Sequence, residues 1–233
     1  MTDRTKRRLR AIVFDFDGVI ANSEPLHFGA MRDVLAEDGI ALSKEAYYSR
    51  YLGYDDRGAF RAIGADQGVS FSGGHLADLV ARKAVRLEQL EHDASVLFPG
   101  AADAVRRAAA AVPIAIASGA LRAEILRVLD RADLTRLFSV IVGAEDATRS
   151  KPAPDPYVRA VSLLSAVVEG APLQPSECVA IEDSRWGLQS ARDAGLRTVG
   201  VTHTYDASEL GGAELVLSSL DALDLDQLRR LWR

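Results

Sequence analysis

Short apolar runs rich in β-branched residues alternate with longer amphipathic segments, and this alternation constrains the fold more than any other feature of the chain. Strands separated by helical segments of about ten to fifteen residues are typical of βαβ units, whose strands lie parallel in one sheet. The predicted strands are Arg10–Phe16, Val112–Ala117, Phe138–Val142, Glu177–Ile181, Arg197–Val201 and Glu214–Leu217. The helices predicted between them are Ala101–Ala111, Leu121–Ala132, Pro156–Val168 and Ser184–Ala194. The sequence therefore predicts an α/β fold with a doubly wound parallel sheet.

One region after the first predicted strand interrupts the alternation. From Glu24 to Val96 the sequence contains no convincing strand, only segments with apolar residues at helical spacing. These segments are Pro25–Asp38, Lys44–Arg50, Asp56–Ile63 and Leu76–His92, with loops expected at Gly64 and at the Gly73-Gly74 pair. We therefore expect an α/β catalytic core formed by residues 1–23 and 97–233, and an inserted all-helical cap domain over residues 24–96.

Composition excludes several classes of protein. Hydrophobic residues make up 48% and charged residues 26% of the 233 positions, which is ordinary for a folded chain with a sizeable core. The net charge of −5 provides no positive field to attract nucleic acid or an anionic membrane. A single cysteine, Cys178, allows neither an internal disulfide nor a cysteine zinc cluster. We therefore expect a cytoplasmic protein with no nucleic-acid and no membrane partner.

Acidic residues follow two of the predicted strands, at the end of an open parallel sheet where ligands bind. Asp15 and Asp17 lie two positions apart at the carboxyl end of the first predicted strand and should therefore point the same way. Glu182 and Asp183 follow the fourth, and Gly18 would permit a sharp turn. A single pair of this kind could also consist of a helix-capping aspartate beside a surface carboxylate. Two pairs fit shared ligation of a hard cation such as Mg²⁺ better.

Two further strand ends carry groups suited to binding a phosphoryl group. Ser118 and Gly119 offer a hydroxyl and a flexible backbone, although a bare Ser-Gly pair is more often a plain turn. Lys151 lies in the proline-flanked segment Ser150–Asp155 and is one of four lysines among 28 basic residues. Its positive charge would neutralise both Asp15 and a bound phosphate.

These segments resemble the motifs of the haloacid dehalogenase superfamily, in the subgroup with a helical cap inserted after the first strand. The resemblance is closest to the β-phosphoglucomutase-like sugar-phosphate phosphatases. The matching segments are Asp15–Ile20, Ala117–Gly119, Ser150–Asp155 and Ile181–Ser184, and their order and spacing agree over nearly the whole chain. The resemblance implies a Rossmann-like core, Mg²⁺ as cofactor, a small phosphorylated metabolite as substrate, and an enzyme that can act as a monomer.

The resemblance also implies a catalytic role for each matched residue. Asp15 would attack phosphorus and form an aspartyl-phosphate. Asp17 would protonate the leaving alcohol and then deprotonate the attacking water. Ser118 and Lys151 would bind the transferring phosphoryl group, and the backbone of Gly119 would help to bind the substrate.

The metal site implied by the resemblance uses the same acidic residues. The carboxylates of Asp15 and Asp183 would bind Mg²⁺ together with the backbone carbonyl of Asp17. Glu182 would support that shell directly or through water.

Residues of the cap domain are expected to determine which substrate the enzyme binds. Lys83 lies where relatives place a substrate-binding lysine, and Leu52–Arg57 resembles the cap loop that faces the active site. Gly53 and Arg57 are therefore expected to bind substrate, Arg57 through a distal phosphate or carboxylate. The alternative for Lys83 and for Arg57 is a solvated helix position. His27 matches a histidine of mutases, but packing at the hinge is the role we expect for it.

The remaining histidines show no arrangement typical of ligands. His75, His92 and His203 are therefore expected to be ordinary surface residues. Cys178, at a predicted buried strand, is expected to be an inert core thiol.

Three functions are compatible with these residues. The first is a Mg²⁺-dependent phosphatase of small phosphorylated metabolites, in particular sugar phosphates. The second is a β-phosphoglucomutase-type mutase, but Gly119–Arg122 lacks the polar residues and asparagine usual in those enzymes, which favours hydrolysis. The third is a non-catalytic, receiver-like module phosphorylated on Asp15, which the long cap insertion and Asp17 both disfavour. Asp17 also argues against a true dehalogenase, since that reaction has no leaving alcohol to protonate.

Overall fold

The computed structural model describes residues 8–52, 54–93 and 96–232, with the backbone alone described at residues 92 and 93. The chain divides into two compact units. One, called the core unit here, comprises Met1–Asn22 and Leu97–Arg233, and the other, called the cap unit, comprises Ser23–Val96.

A six-stranded sheet forms the centre of the core unit, and every neighbouring pair of strands is parallel. The strands are β1 (Ala11–Phe14), β2 (Ile114–Ala117), β3 (Phe138–Val142), β4 (Cys178–Glu182), β5 (Arg197–Val201) and β6 (Leu215–Leu217). Their spatial order is β3-β2-β1-β4-β5-β6. The chain therefore changes winding direction between β1 and β4, and ligands of open α/β sheets bind at such a switch point. The doubly wound α/β fold predicted from the sequence is confirmed.

Helices cover the sheet of the core unit. Numbered after the four helices of the cap unit, they are α5 (Ala101–Ala111), α6 (Arg122–Arg131), α7 (Asp155–Val167), α8 (Arg185–Asp193) and α9 (Leu225–Arg229). The apolar face of α7, including Tyr157, Ala160 and Leu164, packs on the small side chains of β1 and β2 in one buried cluster. In the core unit, the predicted and observed ends of helices α5 to α8 and of strands β1 to β6 agree to within two residues.

The start of α7 and the burial of Cys178 can be compared with the predictions made from the sequence. The helix predicted to begin at Pro156 begins one residue earlier, at Asp155, and Pro154 occupies the cap position. Cys178 is fully buried, as expected for a core thiol, and burial raises its pKa to about 12.

All regular secondary structure in the described residues of the cap unit is helical. It contains α1 (Glu24–Glu37), α2 (Lys44–Ala46), α3 (Asp56–Asp66) and α4 (Gly73–Asp93), and a π-helical turn, Tyr47–Tyr51, continues α2. Its own apolar core joins α1, α3 and α4 through side chains that include Leu35, Phe60 and Leu79. No described helix of either unit has the length and apolar character needed to cross a bilayer.

The glycines predicted to be loops in this unit lie in helices. Gly64 is inside α3, where a methyl group would lie 2.6 Å from the Phe71 ring and 2.8 Å from the Val69 carbonyl oxygen. Its small size is therefore needed for close packing and not for a turn. Gly73 begins α4 because Ser72 caps that helix: its hydroxyl accepts a hydrogen bond from the His75 backbone N–H at 3.2 Å.

Candidate active site

Three carboxylates from neighbouring strands meet at one edge of the sheet. Asp15 follows β1, Glu182 ends β4 and Asp183 comes next in the chain. One oxygen from each of the three lies within 4.8 Å of the others, and all three side chains are buried. They converge because β1 and β4 are parallel neighbours, so that their carboxyl ends meet.

Lys151 brings a positive charge into this cluster. Its Nζ lies 2.9 Å from Asp15 Oδ1 and donates a hydrogen bond of 2.6 Å to Glu182 Oε1. The lysine was expected to neutralise Asp15, and the structure places it on Glu182 as well. Lys151 therefore links the acidic segment after β1 to the one at the end of β4, although the two are far apart in the sequence.

Tyr157 is a member of this site that sequence reasoning missed. Its hydroxyl donates a hydrogen bond of 2.7 Å to Glu182 Oε1, and its ring lies 5.2 Å below the Lys151 ammonium. The tyrosine occupies the buried face of α7, where an aromatic residue gives no signal beyond core packing. Ser184 completes the surroundings of Glu182 with a 3.3 Å hydrogen bond to Oε2.

The buried charges strongly affect one another. Burial, and then the charge of Glu182, raise the pKa of Asp15 well above its usual range, although Lys151 lowers it. The same two causes raise the pKa of Asp183 to about 7. Burial opposes the charge on Lys151, but Asp15 and Glu182 outweigh it and raise its pKa.

The donor set fits a hard divalent cation. Three buried carboxylates against one ammonium leave two negative charges when all four groups are ionised, which a single divalent ion would neutralise. All of the side-chain donors are carboxylate oxygens, the ligands that Mg²⁺ prefers.

Asp17 is placed differently from the prediction. The strand β1 ends at Phe14, so Asp15 and Asp17 do not share a strand face, and the Asp17 carboxylate is not part of the three-carboxylate cluster. The reason is a tight turn in which the Phe16 carbonyl accepts hydrogen bonds of 2.9 Å from the N–H groups of both Ile20 and Ala21. Asp17 lies within this turn and is partly exposed.

Gly18 is required at the next position of the turn. Its φ of +75° lies in the left-handed region that favours glycine. A methyl group at its Cα would also overlap the Asp183 carboxylate. The glycine thus allows the turn after β1 to approach Asp183 closely.

Ser118 and Gly119 follow β2, which lies beside β1 on the other side from β4. Ser118 is buried, and its hydroxyl accepts a hydrogen bond of 3.0 Å from the Ala120 N–H. Gly119 is exposed, and nothing lies within 4 Å of a methyl group placed on it. The structure therefore puts both residues at the carboxyl edge of the sheet, and their binding of a phosphoryl group stays a prediction.

In the cap unit, Lys83 is not a solvated residue. Its side chain is only 1% exposed, and its Nζ lies 2.6 Å from Asp56 Oδ1 and 2.8 Å from His27 Nδ1. The solvated alternative for Lys83 is therefore wrong, because α4 turns this position toward α1 and α3. His27 makes a buried polar contact in addition to packing, and burial and the Lys83 charge lower its pKa to about 3.

Arg57 and Gly53 are the other two cap residues that the sequence predicts to bind substrate. Arg57 is exposed in the first turn of α3, and Gly53 lies outside the described residues. A role for Lys83, Arg57 and Gly53 in binding substrate stays a prediction.

His203 was expected to be an ordinary surface residue, and this expectation is wrong. It is only partly exposed, its Nδ1 lies 3.0 Å from the Gly18 carbonyl oxygen, and its ring stacks on Phe98 with centroids 3.9 Å apart. Both partners are far away in sequence, so no local pattern points to the contact. His75 is exposed as expected and pairs with Asp38, and the side chain of His92 lies outside the described part of the chain.

Comparison with known proteins gives a consistent result. The model of the family described as haloacid dehalogenase-like hydrolase matches residues 12–201. The chain is 36% identical over 207 residues to protein CbbY of Rhodobacter capsulatus, covering 84% of this chain and 87% of that protein. It is 31% identical over 199 residues to the fructose-1-phosphate phosphatase YqaB of Escherichia coli (strain K12), covering 83% and 97%. The crystal structure of CbbY from Rhodobacter sphaeroides in complex with phosphate superposes with a TM-score of 0.79 at 27% identity, covering 92% and 96%.

Proposed function

Because the chain belongs to the haloacid dehalogenase-like hydrolase family, we propose that it is a Mg²⁺-dependent phosphatase of small phosphorylated metabolites that works through an aspartyl-phosphate on Asp15. The observation that carries the proposal is the buried cluster of Asp15, Glu182 and Asp183, with Lys151 on its first two members. Such a cluster combines a nucleophilic carboxylate, a cation and a set of metal ligands at the switch point of the sheet.

Sugar phosphates are the substrate class that we propose. One of the relatives described above has a name that states its activity, fructose-1-phosphate phosphatase. It is 31% identical to this chain, and the match covers 97% of its length. The related CbbY structure at 27% identity holds phosphate, which is the product that a phosphatase releases. The name of the fructose-1-phosphate phosphatase supports a phosphorylated carbohydrate as the substrate.

Asp15 and Asp183 would hold Mg²⁺ through their carboxylates, with Glu182 supporting them. When bound, the metal would neutralise the carboxylates and withdraw charge from the phosphoryl oxygens. It would also replace the protons that the raised pKa values of Asp15 and Asp183 otherwise favour.

The residues of the chain would carry out the reaction in two steps. In the first, an Asp15 oxygen bonds to phosphorus, the bond from phosphorus to the sugar oxygen breaks, and Asp17 gives that oxygen its proton. In the second, water bonds to phosphorus, the bond to Asp15 breaks, and Asp17 recovers a proton from the water. Lys151, 2.9 Å from Asp15, would keep the nucleophile ionised, and Ser118 would donate to a phosphoryl oxygen.

The first test is release of inorganic phosphate from a panel of sugar phosphates in the presence of Mg²⁺. We expect multiple turnovers with wild-type protein and a loss of at least about a thousandfold in kcat for Asp15→Asn, because an amide is a poor nucleophile. Asp193→Asn, at an exposed position near the end of α8, is the matched control and should keep full activity. Substantial Mg²⁺-dependent activity in Asp15→Asn would remove Asp15 as the nucleophile.

The same assay separates the rival functions. Isomerisation of β-glucose 1-phosphate with little phosphate released would identify a mutase instead. A single phosphorylation of the protein without turnover would identify a receiver-like module.

Asp17→Asn tests the acid. We expect kcat for an alkyl phosphate to fall about 10²–10³-fold and kcat for an aryl phosphate, whose leaving group needs no proton, to fall less than about tenfold. Equal losses with the two substrates would contradict the role of Asp17.

A further inference from the structure

Two consecutive residues after β5 contact the two acidic segments of the site. His203 Nδ1 lies 3.0 Å from the carbonyl oxygen of Gly18. Since a carbonyl can only accept, Nδ1 must carry the proton and donate it, which fixes the tautomer of the imidazole. The hydrogen bond therefore holds the peptide plane between Gly18 and Val19, one residue beyond Asp17 in the turn after β1.

A second contact holds the His203 ring in this orientation. The ring stacks on Phe98, with centroids 3.9 Å apart and planes inclined by 22°. The backbone of Phe98 is itself tied to the same turn, because its N–H donates a hydrogen bond of 3.0 Å to the Ile20 carbonyl. His203 is thus fixed by the loop after β5, by the segment at Phe98 and by the turn that contains Gly18.

Thr204 reaches the other acidic segment. Its hydroxyl lies beside the Asp183 carboxylate, and this polar neighbour offsets part of the rise in the pKa of Asp183 that burial and Glu182 cause. A methyl group on Gly18 would lie 2.9 Å from Thr204 Oγ1 and would also overlap the Asp183 carboxylate. The turn, Asp183 and Thr204 are therefore packed against one another.

We propose that His203 and Thr204 are positioning residues that hold Asp17 and Asp183 in the places that catalysis requires. We call this pair of residues the brace. The inference rests on the proposed function and adds two positioning residues to it. His203 acts on Asp17 through the Gly18 peptide, and Thr204 acts on Asp183 directly. A histidine needed only for packing would not need its donor, and this difference makes the proposal testable.

Three variants of His203 separate the donor from the ring. His203→Phe keeps a stacking ring and loses the donor, His203→Asn places an amide N–H near the position of Nδ1, and His203→Ala loses both. We expect His203→Phe to lower kcat about tenfold for an alkyl phosphate and much less for an aryl phosphate, with KM unchanged, because the misplaced group is the leaving-group acid. His203→Asn should recover most of the alkyl phosphate activity.

Losses by His203→Phe that are equal for the two phosphates, or no loss at all, would overturn this part of the proposal. So would a failure of His203→Asn to exceed His203→Phe. If wild-type protein releases no phosphate from any substrate, the proposed function fails, and the brace is then judged by spectroscopy. With only four histidines in the chain, long-range ¹H–¹⁵N correlation spectra can assign His203 by its loss in His203→Asn. We expect the Nδ1–H tautomer, and an Nε2–H tautomer would contradict the brace.

Thr204 is tested by the rise in Tm that Mg²⁺ produces, which requires no turnover. Thr204→Val removes the hydroxyl at nearly constant shape, and we expect the Mg²⁺ concentration for half of the Tm rise to increase about tenfold. Thr204→Ser should behave as wild type. Thr202→Val, whose hydroxyl meets the Ser218 carbonyl oxygen at 3.5 Å, is the control from the same loop. An unchanged titration in Thr204→Val, or the same change in Thr202→Val, would overturn the role of Thr204.

Discussion

Glu182 is fully buried and accepts hydrogen bonds from three side chains, those of Lys151, Tyr157 and Ser184. A carboxylate without water is stable only when such donors replace its hydration. Ser184 follows Glu182 by two residues, whereas Lys151 precedes α7 and Tyr157 lies in it, so these two donors tie α7 and the loop before it to the end of β4. At the scale of single residues, Glu182 is therefore the point at which the site is assembled, although Asp15 is the proposed nucleophile.

Tyr157→Phe tests this assembly. We expect the free energy of unfolding to fall by about 1–3 kcal/mol, because a buried carboxylate loses a donor while Lys151 and Ser184 remain. Activity should fall by less than about tenfold, since the charge on Lys151 is kept. Urea unfolding and phosphate release measure the two effects. Tyr54→Phe, at an exposed ring, is the control and should change neither. No loss of stability in Tyr157→Phe would mean that Glu182 does not depend on the tyrosine.

At the scale of elements, the first turn of α8 packs closely against the Glu182 carboxylate. Ser184 caps the helix by accepting a hydrogen bond of 3.1 Å from the Gly187 N–H, and the same hydroxyl donates to Glu182. The first turn of the helix then lies against Glu182 so closely that a methyl group on Gly187 would overlap the carboxylate. The positive end of the helix dipole also favours a negative charge at this place.

Gly187→Ala should therefore destabilise the protein, contrary to the usual effect of alanine in a helix. We expect a loss of about 1–3 kcal/mol in the free energy of unfolding, with reduced activity, because Glu182 or the helix must shift. Gly74→Ala is the matched control in the first turn of α4, where nothing lies within 4 Å of the added methyl group. It should raise stability by up to about 1 kcal/mol. A stabilising effect at Gly187 would contradict the close packing of α8 on Glu182.

At the scale of the whole molecule, each unit has its own buried ionisable cluster. The core unit holds carboxylates whose pKa values are raised, and the cap unit holds His27, whose pKa is lowered to about 3. In the cap unit, the neutral imidazole accepts a hydrogen bond from the Lys83 ammonium, which also pairs with Asp56. The two clusters therefore respond to acid with opposite effects on stability.

The pH dependence of stability should show the contribution of His27. The unfolded chain binds a proton at His27 as the pH falls below about 6.5, whereas the folded protein does not until about pH 3. The contribution of His27 to stability is thus complete above pH 6.5 and is lost as the pH falls toward 3, by about 2 kcal/mol at pH 5.

Urea unfolding of wild type and His27→Asn at pH 8, 6.5 and 5 measures this contribution. Asparagine keeps an acceptor for Lys83 and cannot be protonated, so the variant should lose less stability than wild type between pH 8 and pH 5. Equal losses in wild type and His27→Asn would show that His27 is not held neutral by the fold.

The sequence by itself determined the class of fold and the position of the site. Alternation of β-branched runs with amphipathic segments is a local pattern, and parallel pairing follows from it, as the order of the six strands confirms. The meeting of Asp15 with Glu182 and Asp183 also follows, because the carboxyl ends of parallel strands lie at one edge.

The tertiary structure alone decided which other groups complete the site. Tyr157 and His203 each form a hydrogen bond with a partner distant in the chain, and a buried aromatic residue or a lone histidine carries no local sign of such a contact. The displacement of Asp17 from the strand face depends on the turn that closes at Phe16, and the burial of Lys83 depends on how α4 packs within the cap unit. Local periodicity specifies the elements, whereas a polar contact inside the fold depends on which elements packing brings together, and that is a property of the whole chain.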